Sequence, residues 1–127
     1  MMTHFSRFLA VTAFVVSLLW AVSPARAQSE QDFTLVNGTE YDIEEVYVAP
    51  TTSKTWGKDI LGDGVLDAGE SKKVKFRFGT TNCLYNMMVR WADGSSTEWT
   101  TKFNLCKINK ITLLYNRATD VTTAVTE

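Results

Sequence analysis

The sequence predicts an all-β fold, namely a small antiparallel β-sandwich of six or seven strands, immunoglobulin-like in topology, with one disulfide. Short runs of β-branched and aromatic residues alternate with clusters of Gly, Asn, Asp and Ser along residues 32–115. That pattern is typical of strands joined by turns. Residues 28–127 contain no stretch with the 3.6-residue apolar period of an amphipathic helix. The remaining observation is a pair of cysteines, Cys83 and Cys106.

The first three predicted strands lie between turn signals. In the first, Phe33 and Leu35 alternate with their neighbours until the Asn37-Gly38 turn ends the strand. The second covers residues 42–49 and stops before a proline, which cannot donate a hydrogen bond to a ladder. After a polar loop, the run SKKVKFRF at residues 71–78 alternates apolar and cationic side chains, which predicts the third strand.

The second half of the domain continues the same pattern. Residues 83–91 form a strand with an apolar face, and the turn at residues 92–95 leads into its antiparallel partner, residues 97–102. Residues 103–106 form a connector or a short strand, and residues 107–115 close the sheet. The inward side chains predicted from this alternation are Phe33, Leu35, Ile43, Leu66, Val74, Phe76, Val89, Ile111 and Leu113.

The first 27 residues predict a secretory signal peptide. Arg7 precedes an apolar run at residues 8–22, and Ala25-Arg26-Ala27 supplies a cleavage site before Gln28. A transmembrane anchor is the alternative, but the run is shorter than the roughly 20 apolar residues that a spanning helix needs. The predicted organisation is therefore a signal peptide at 1–27, a mobile tail at 28–31, a sandwich domain at 32–115 and a fraying tail at 116–127.

The charge of the mature chain limits its partners. All 14 acidic residues follow residue 27, whereas two of the 13 basic residues leave with the signal peptide, which gives 11 − 14 = −3. Non-specific nucleic-acid binding needs a positive field, so no nucleic-acid partner is expected. No further apolar segment is long enough to span a membrane. We expect a periplasmic or secreted protein without a membrane span in its mature form.

The two cysteines are expected to form a disulfide between Cys83 and Cys106, because export places them in an oxidising compartment. A zinc site and a redox role are the alternatives. Two cysteines alone make a poor zinc site, and the sequence has no Cys-x-x-Cys motif.

The single histidine, His4, lies in the predicted signal peptide. Its removal excludes Ser-His-Asp and Cys-His catalysis and most zinc or copper sites. No G-x-G-x-x-G or Walker-type phosphate loop is present either. The sequence thus predicts no enzyme, no catalytic residues and no cofactor.

The stretch DILGDGVLDAGE, residues 59–70, resembles the ligand spacing of an EF-hand calcium loop. Two explanations remain open. A weak calcium loop would use Asp59, Asp63, Asp67 and Glu70, but Leu61 stands where an oxygen ligand is normal and no flanking helix is predicted. Alternatively the segment is a pair of turns that direct two leucines inward, and this is the explanation that we favour.

Aromatic side chains provide the candidate contact surface. Trp56 lies in a polar loop, and Trp99 is flanked by Glu98 and Thr100 on a polar strand, so both are candidates for contact with a protein or glycan partner. Burial in the small core is the alternative for these rings.

The order of several segments resembles a known family. It runs from DFTLVN through the Tyr-Asp-Ile-Glu-Glu-Val-Tyr-Val run, Trp56, Asp59, Leu61-Gly62, Leu66, Gly69 and Ser71 to Cys83 and LCKINKITL. It is similar to a family of short exported bacterial proteins of uncharacterised function, some of which are labelled Tat-pathway signal protein or argininosuccinate lyase. The resemblance covers about residues 32–115 and implies a compact β-sandwich but no activity. The chain has no twin-arginine pair.

The function that fits these observations best is a non-enzymatic binding or interaction module outside the cytoplasm. A structural, envelope-associated protein and a weak calcium-binding module through residues 59–70 are the alternatives. A hydrolase is less favoured because the mature chain lacks histidine.

Overall fold

The structure, a computed structural model, describes residues 29–77 and 79–127. The predicted signal peptide at residues 1–27 lies outside the described residues, as do Gln28 and Phe78. The described chain forms seven strands and no helix. They are β1 (Phe33–Asn37), β2 (Ile43–Pro50), β3 (Ser71–Val74), β4 (Leu84–Trp91), β5 (Ser96–Asn104), β6 (Lys110–Asn116) and β7 (Val121–Thr126).

The strands form a β-sandwich of two sheets, which confirms the predicted architecture. One sheet has four strands in the order β3-β1-β6-β7, and the other has three in the order β2-β4-β5. All pairs are antiparallel except β1 and β6, which run parallel. The predicted antiparallel sandwich therefore includes one parallel pair. Because β1 and β6 are far apart in sequence, no hairpin dictates their relative direction. The immunoglobulin-like topology stays a prediction.

The core lies between the two sheets and draws side chains from both. Leu35, Ile111 and Leu113 of the four-stranded sheet meet Val46 and Val89 of the three-stranded sheet, and all five are buried. Eight of the nine predicted inward residues are buried, and the ninth, Phe76, is partly buried against the same cluster. The period-2 patterns therefore assigned the inward faces correctly.

Strand β3 is shorter than predicted and ends at Val74. Beyond it, the backbone N–H of Phe76 donates to the side chain of Asp32, at 2.7 Å from Oδ1, instead of continuing a ladder. The aromatic ring still packs inward, with its centroid 6.3 Å from that of Phe33 and 5.1 Å from that of Tyr85. The alternation thus predicted the side-chain direction but not the end of the strand.

Strand β2 contains a bulge between Ile43 and Glu45. A strict period of two would point Ile43 and Val46 to opposite faces. The extra residue of the bulge places both on the inward face, where both are fully buried.

Both predicted tails are wrong in part. Residues 116–127, expected to fray, include strand β7, which pairs with β6 along its whole length. At the other end, Gln31 is buried and its side-chain amide donates to the carbonyls of Thr80 and Asn82, both at 2.8 Å. The folded domain therefore extends beyond residues 32–115 at both ends.

The disulfide between Cys83 and Cys106 is confirmed, with 5.2 Å between the two Cα atoms. It joins the start of β4 to the residues after β5, where the N–H of Leu105 donates to the carbonyl of Cys83 at 2.8 Å. The bond therefore closes one end of the β4–β5 pair. Among the described residues, no helix is long and apolar enough to span a membrane.

Candidate functional site

A cleft of about 720 Å³ lies at one end of the sandwich. It lies among three connections: the loop between β1 and β2, the β4–β5 hairpin and the β6–β7 hairpin. The lining consists of three aromatic residues, three aspartates, four hydroxyl residues and one alanine. They are Tyr41, Trp91, Tyr115, Asp42, Asp93, Asp120, Ser95, Ser96, Thr97, Thr122 and Ala92.

One wall of the cleft is a pair of tyrosines. The rings of Tyr41 and Tyr115 meet edge to face, with centroids 5.4 Å apart and planes at 77°. The hydroxyl of Tyr115 donates to Oδ1 of Asp120 at 2.7 Å, and this bond raises the pKa of Tyr115. Tyr41 remains 44% exposed although it contacts the second ring. Part of the Tyr41 side chain is therefore accessible to a ligand at the rim.

The hydrogen bond from Tyr115 also holds an unusual backbone conformation. Asp120 has a φ of 52°, the left-handed region that few residues other than glycine adopt. It ends the four-residue loop of the β6–β7 hairpin, where Asn116 Oδ1 accepts a hydrogen bond from the N–H of Ala118 at 2.9 Å. Aspartate tolerates this conformation because its short polar side chain can bond locally.

Trp91 extends from the buried end of the cleft. The residue is only 8% exposed, and its indole N–H donates to Oγ1 of Thr97 at 2.9 Å across the β4–β5 hairpin. The residue lies opposite Ile43 in the register of β2 and β4. The tryptophan therefore packs in the core and also lines the inner part of the cleft.

The carboxylate of Asp93 is held by the turn that it belongs to. The backbone N–H and hydroxyl of Ser95 both donate to its Oδ1, at 2.9 and 2.5 Å. These bonds lower the pKa of Asp93, so the group is ionised at neutral pH. The other two aspartates also accept hydrogen bonds through Oδ1. The N–H of Ala68 donates to Oδ1 of Asp42, and the hydroxyl of Tyr115 donates to Oδ1 of Asp120. The described residues make no hydrogen bond to the Oδ2 atoms of these three aspartates.

The described residues that line the cleft carry negative charge only, since they include three aspartates and no lysine or arginine. The nearby guanidinium of Arg117 is paired with Glu40, with 2.6 Å between Nη2 and Oε2. The Glu40 charge and the neighbouring Tyr41 raise the pKa of Arg117. This arrangement disfavours an anionic ligand and suits one that donates hydrogen bonds.

The loop that carries Tyr41 is held by a buried amide, that of Asn37. Its Nδ2 donates to the carbonyls of Tyr41, Leu66 and Asp67 at 2.7, 3.1 and 3.2 Å. Its Oδ1 accepts from the N–H and hydroxyl of Thr39 at 3.1 and 2.7 Å. One side chain thus fixes the cleft loop against the segment that precedes β3.

The candidate calcium residues are not brought together. Among the described residues, no three histidine, cysteine or acidic side chains form a group that could hold a metal ion. Oδ1 of Asp59 instead accepts hydrogen bonds from the N–H groups of Val46 and Leu61, at 2.9 and 3.0 Å. Turns occur at residues 60–63 and 68–69, Leu66 is buried, and Leu61 packs against the core. The geometry is that of the favoured explanation, a pair of turns, and not of a loop that joins Asp63, Asp67 and Glu70 around an ion.

The tryptophans singled out from the sequence lie elsewhere. Trp99 is only 8% exposed, so its prediction as a surface contact is wrong. It lies opposite Met87 on the inward face of the three-stranded sheet. Trp56 is half-buried and lines a separate cavity of about 150 Å³ beside Asn86. Neither residue lines the larger cleft.

No protein-family model, no curated protein and no solved structure matches this chain. The assignment of the site therefore rests on geometry.

The aromatic residues of the cleft, Tyr41, Trp91 and Tyr115, are not the ones predicted from the sequence as a contact surface. A shared signal does exist in the printed sequence. Each aromatic residue stands at the junction of a strand and a loop, and an aspartate follows within five positions. Such a recurrence at strand ends is what a loop-built site requires, because the loops at one end of a sandwich meet in space.

Proposed function

We propose that the protein is an exported, non-enzymatic binding module whose ligand occupies the cleft. The observation that carries this proposal is the combination of exposed aromatic surface and oriented polar groups in one cavity. Ligand sites typically join such apolar walls to a few placed hydrogen-bonding groups. The sandwich supplies a rigid support for the loops.

The ligand class that suits this lining is a carbohydrate without acidic groups. The C–H faces of a sugar ring pack against aromatic rings such as Tyr41, and sugar hydroxyls donate to carboxylates such as Asp93. Serine and threonine hydroxyls along the β4–β5 hairpin add donors and acceptors. The negative lining weakens binding of sulfated or uronic-acid sugars by repulsion.

An array of neutral, amino-sugar and acidic glycans, probed with the exported protein, tests the proposal. We expect binding to members of the first two classes and a loss of at least about tenfold in affinity with Tyr41→Ala, which corresponds to about 1.4 kcal/mol. Tyr47→Ala is the matched control, because Tyr47 is a partly exposed tyrosine outside the cleft. Asp93→Asn keeps the oxygen that Ser95 bonds while it removes the charge. An array without signal, or equal loss with Tyr41→Ala and Tyr47→Ala, would contradict the proposal.

We also propose export to the periplasm or beyond, with cleavage near Ala27. The disulfide supports an oxidising compartment, because such bonds are rare in the cytosol. The intact mass of exported protein should correspond to a chain that begins at Gln28. Recovery of the uncleaved chain from the membrane fraction would contradict it.

A further inference from the structure

Each of the two sheets ends in two edge strands, and these four edges differ in their protection. Exposed edges invite pairing with other chains, and proteins usually block them with charges, prolines, bulges or covering segments. The edge strand β3 is four residues long and carries Lys72 and Lys73. Strand β5 carries Glu98. Both edges are therefore charged.

The edge of β2 is covered. The N–H of Val46 donates to Asp59 Oδ1 at 2.9 Å, and the N–H of Ile60 donates to the carbonyl of Val46 at 2.8 Å. The bulge after Ile43 and the terminal Pro50 further interrupt this edge. Residues 59–60 therefore occupy hydrogen-bonding groups that an incoming strand would need.

Within residues 29–77 and 79–127, no such device protects strand β7. Its sequence is VTTAVT, with no charge, proline or glycine. Val121 and Val125 are 50% and 42% exposed, and Leu114 of the adjacent strand β6 is 44% exposed. Leu114 pairs with Thr123 in the β6–β7 register, so these aliphatic side chains share the outer face of the sheet.

The register of β6 and β7 shows which backbone groups of β7 remain free. Lys110 and Glu127 exchange both N–H to carbonyl bonds, at 3.2 and 3.0 Å. Hydrogen-bonded pairs then recur at every second residue, so Val121, Thr123 and Val125 bond to β6. The N–H and carbonyl groups of Thr122, Ala124 and Thr126 point away from the sheet, and no described strand pairs with them.

We propose that this edge pairs antiparallel with β7 of a second copy of the protein. With a two-fold axis at Ala124, Thr122 of one copy lies opposite Thr126 of the other, and the three free residues of each copy form about six backbone hydrogen bonds. In the same register Thr123 faces Val125 of the second copy on the outer face, which joins the exposed aliphatic surfaces. The strand is self-complementary in this register because it carries no charge that would repel its copy.

The joined sheets form a continuous sheet of eight strands, twice the four strands of one copy. An interface of two strand edges and a few aliphatic side chains is small, so the dimer is weak, with a dissociation constant on the order of 10–100 μM. The proposal is independent of what binds in the cleft.

Sedimentation equilibrium of the exported, oxidised protein over a wide concentration range is the first test. The average mass should rise from that of a monomer to that of a dimer. Ala124→Pro removes the central free N–H without removing a bond to β6, and it should weaken association at least tenfold. Thr34→Lys on the outer face of β1 is the control for surface substitution, whereas Thr123→Lys with Val125→Lys should abolish the dimer. Thermal melts of every variant identify those that fail to fold.

The register itself is tested by mixing two single-cysteine variants. Thr123→Cys and Val125→Cys should cross-link with one another under mild oxidation, since they face each other at a non-hydrogen-bonded pair. Neither variant alone should cross-link to the same extent. A protein that stays monomeric at millimolar concentration, a dimer insensitive to both the proline and lysine variants, or equal cross-linking of single variants and mixture would overturn the proposal.

Discussion

Removal of the Asn37 amide provides the sharpest test of how the fold holds the cleft. In Asn37→Ala, five hydrogen bonds of a fully buried side chain are lost. The carbonyls of Leu66 and Asp67 keep the N–H groups of Ile43 and Glu70 as donors. The hydroxyl of Thr39, released from Asn37 Oδ1, turns to the carbonyl of Tyr41, which lies 3.1 Å away. The backbone N–H of Thr39 loses the acceptor that Asn37 provided.

The expected cost follows from these partners. The two short bonds, both 2.7 Å, contribute about 1 kcal/mol each. The unpaired N–H of Thr39 costs about 1–3 kcal/mol. We therefore expect a loss of about 3–5 kcal/mol in the free energy of unfolding, which is a large part of the roughly 5–15 kcal/mol typical of a small domain. The melting temperature should fall by about 15–25 °C.

Asn37→Asp removes the Nδ2 donor but keeps the size of the side chain, so it tests the donor alone. Aspartate keeps Oδ1 for Thr39 but places a second oxygen against the three carbonyls. At neutral pH this buried charge should cost more than the alanine substitution. Burial and the carbonyls raise the folded-state pKa of the new carboxyl above its unfolded value of about 3.9. The variant should therefore regain stability as the pH falls through that folded-state pKa, because the protonated acid again donates.

Urea denaturation of the oxidised protein at pH 7 and pH 4 measures both variants against the original protein. Thr51→Ala provides a control for the loss of a polar side chain that makes none of the Asn37 contacts. An Asn37→Ala loss below 1 kcal/mol would refute the assignment of this amide as the anchor of the Tyr41 loop. An Asn37→Asp variant whose deficit does not shrink on acidification would refute the donor argument.

Three further predictions concern the core, the disulfide and the hairpin. Reduction of the Cys83–Cys106 bond, which spans 23 positions, should lower the free energy of unfolding by about 3 kcal/mol in denaturant titrations; free thiols in exported protein would contradict the pairing. Phe76→Ala should lower the free energy of unfolding by about 2–3 kcal/mol, which is less than for a fully buried ring because Phe76 is only partly buried. A loss under about 0.5 kcal/mol would contradict its inward packing. The pKa of Asp93, followed by carboxyl-carbon NMR, should lie below 3.8 and rise in Ser95→Ala. Because the folded-state pKa is lowered, ionised Asp93 contributes to folding stability, fully above its unfolded-state pKa and progressively less as the pH falls through the lowered folded-state pKa. An unchanged titration in Ser95→Ala would contradict this cause.

The sequence predicted local features well because they depend on neighbouring residues. The alternation of Val74 and Phe76 assigned their inward direction, and cysteine parity assigned the disulfide. Alternation does not report where pairing ends, so the same run overestimated the length of β3. The bulge in β2 also escaped prediction, because an inserted residue changes the face of every later side chain without a distinct sequence signal.

Trp99 shows why a polar neighbourhood in sequence does not establish exposure. Glu98 and Thr100 lie beside it on β5, yet successive residues of a strand point to opposite faces. Which face is buried depends on the partner strand, and pairing with β4 places the ring opposite Met87 in the core. The sequence supplied the alternation, and the tertiary structure selected the face.

The sequence by itself determined the fold class, the inward residues and the identity of the disulfide pair, because these follow from periodicity and count. The tertiary structure decided the parallel pairing of β1 with β6, the order in residues 121–126 and the cleft. Strand β7 has a weak pattern of its own and becomes ordered by pairing with β6. Tyr41, Trp91 and Tyr115 come from three separate connections, and only the packing of two sheets brings those connections to one end. Pairing between distant segments depends on the whole chain, so no local pattern specifies it.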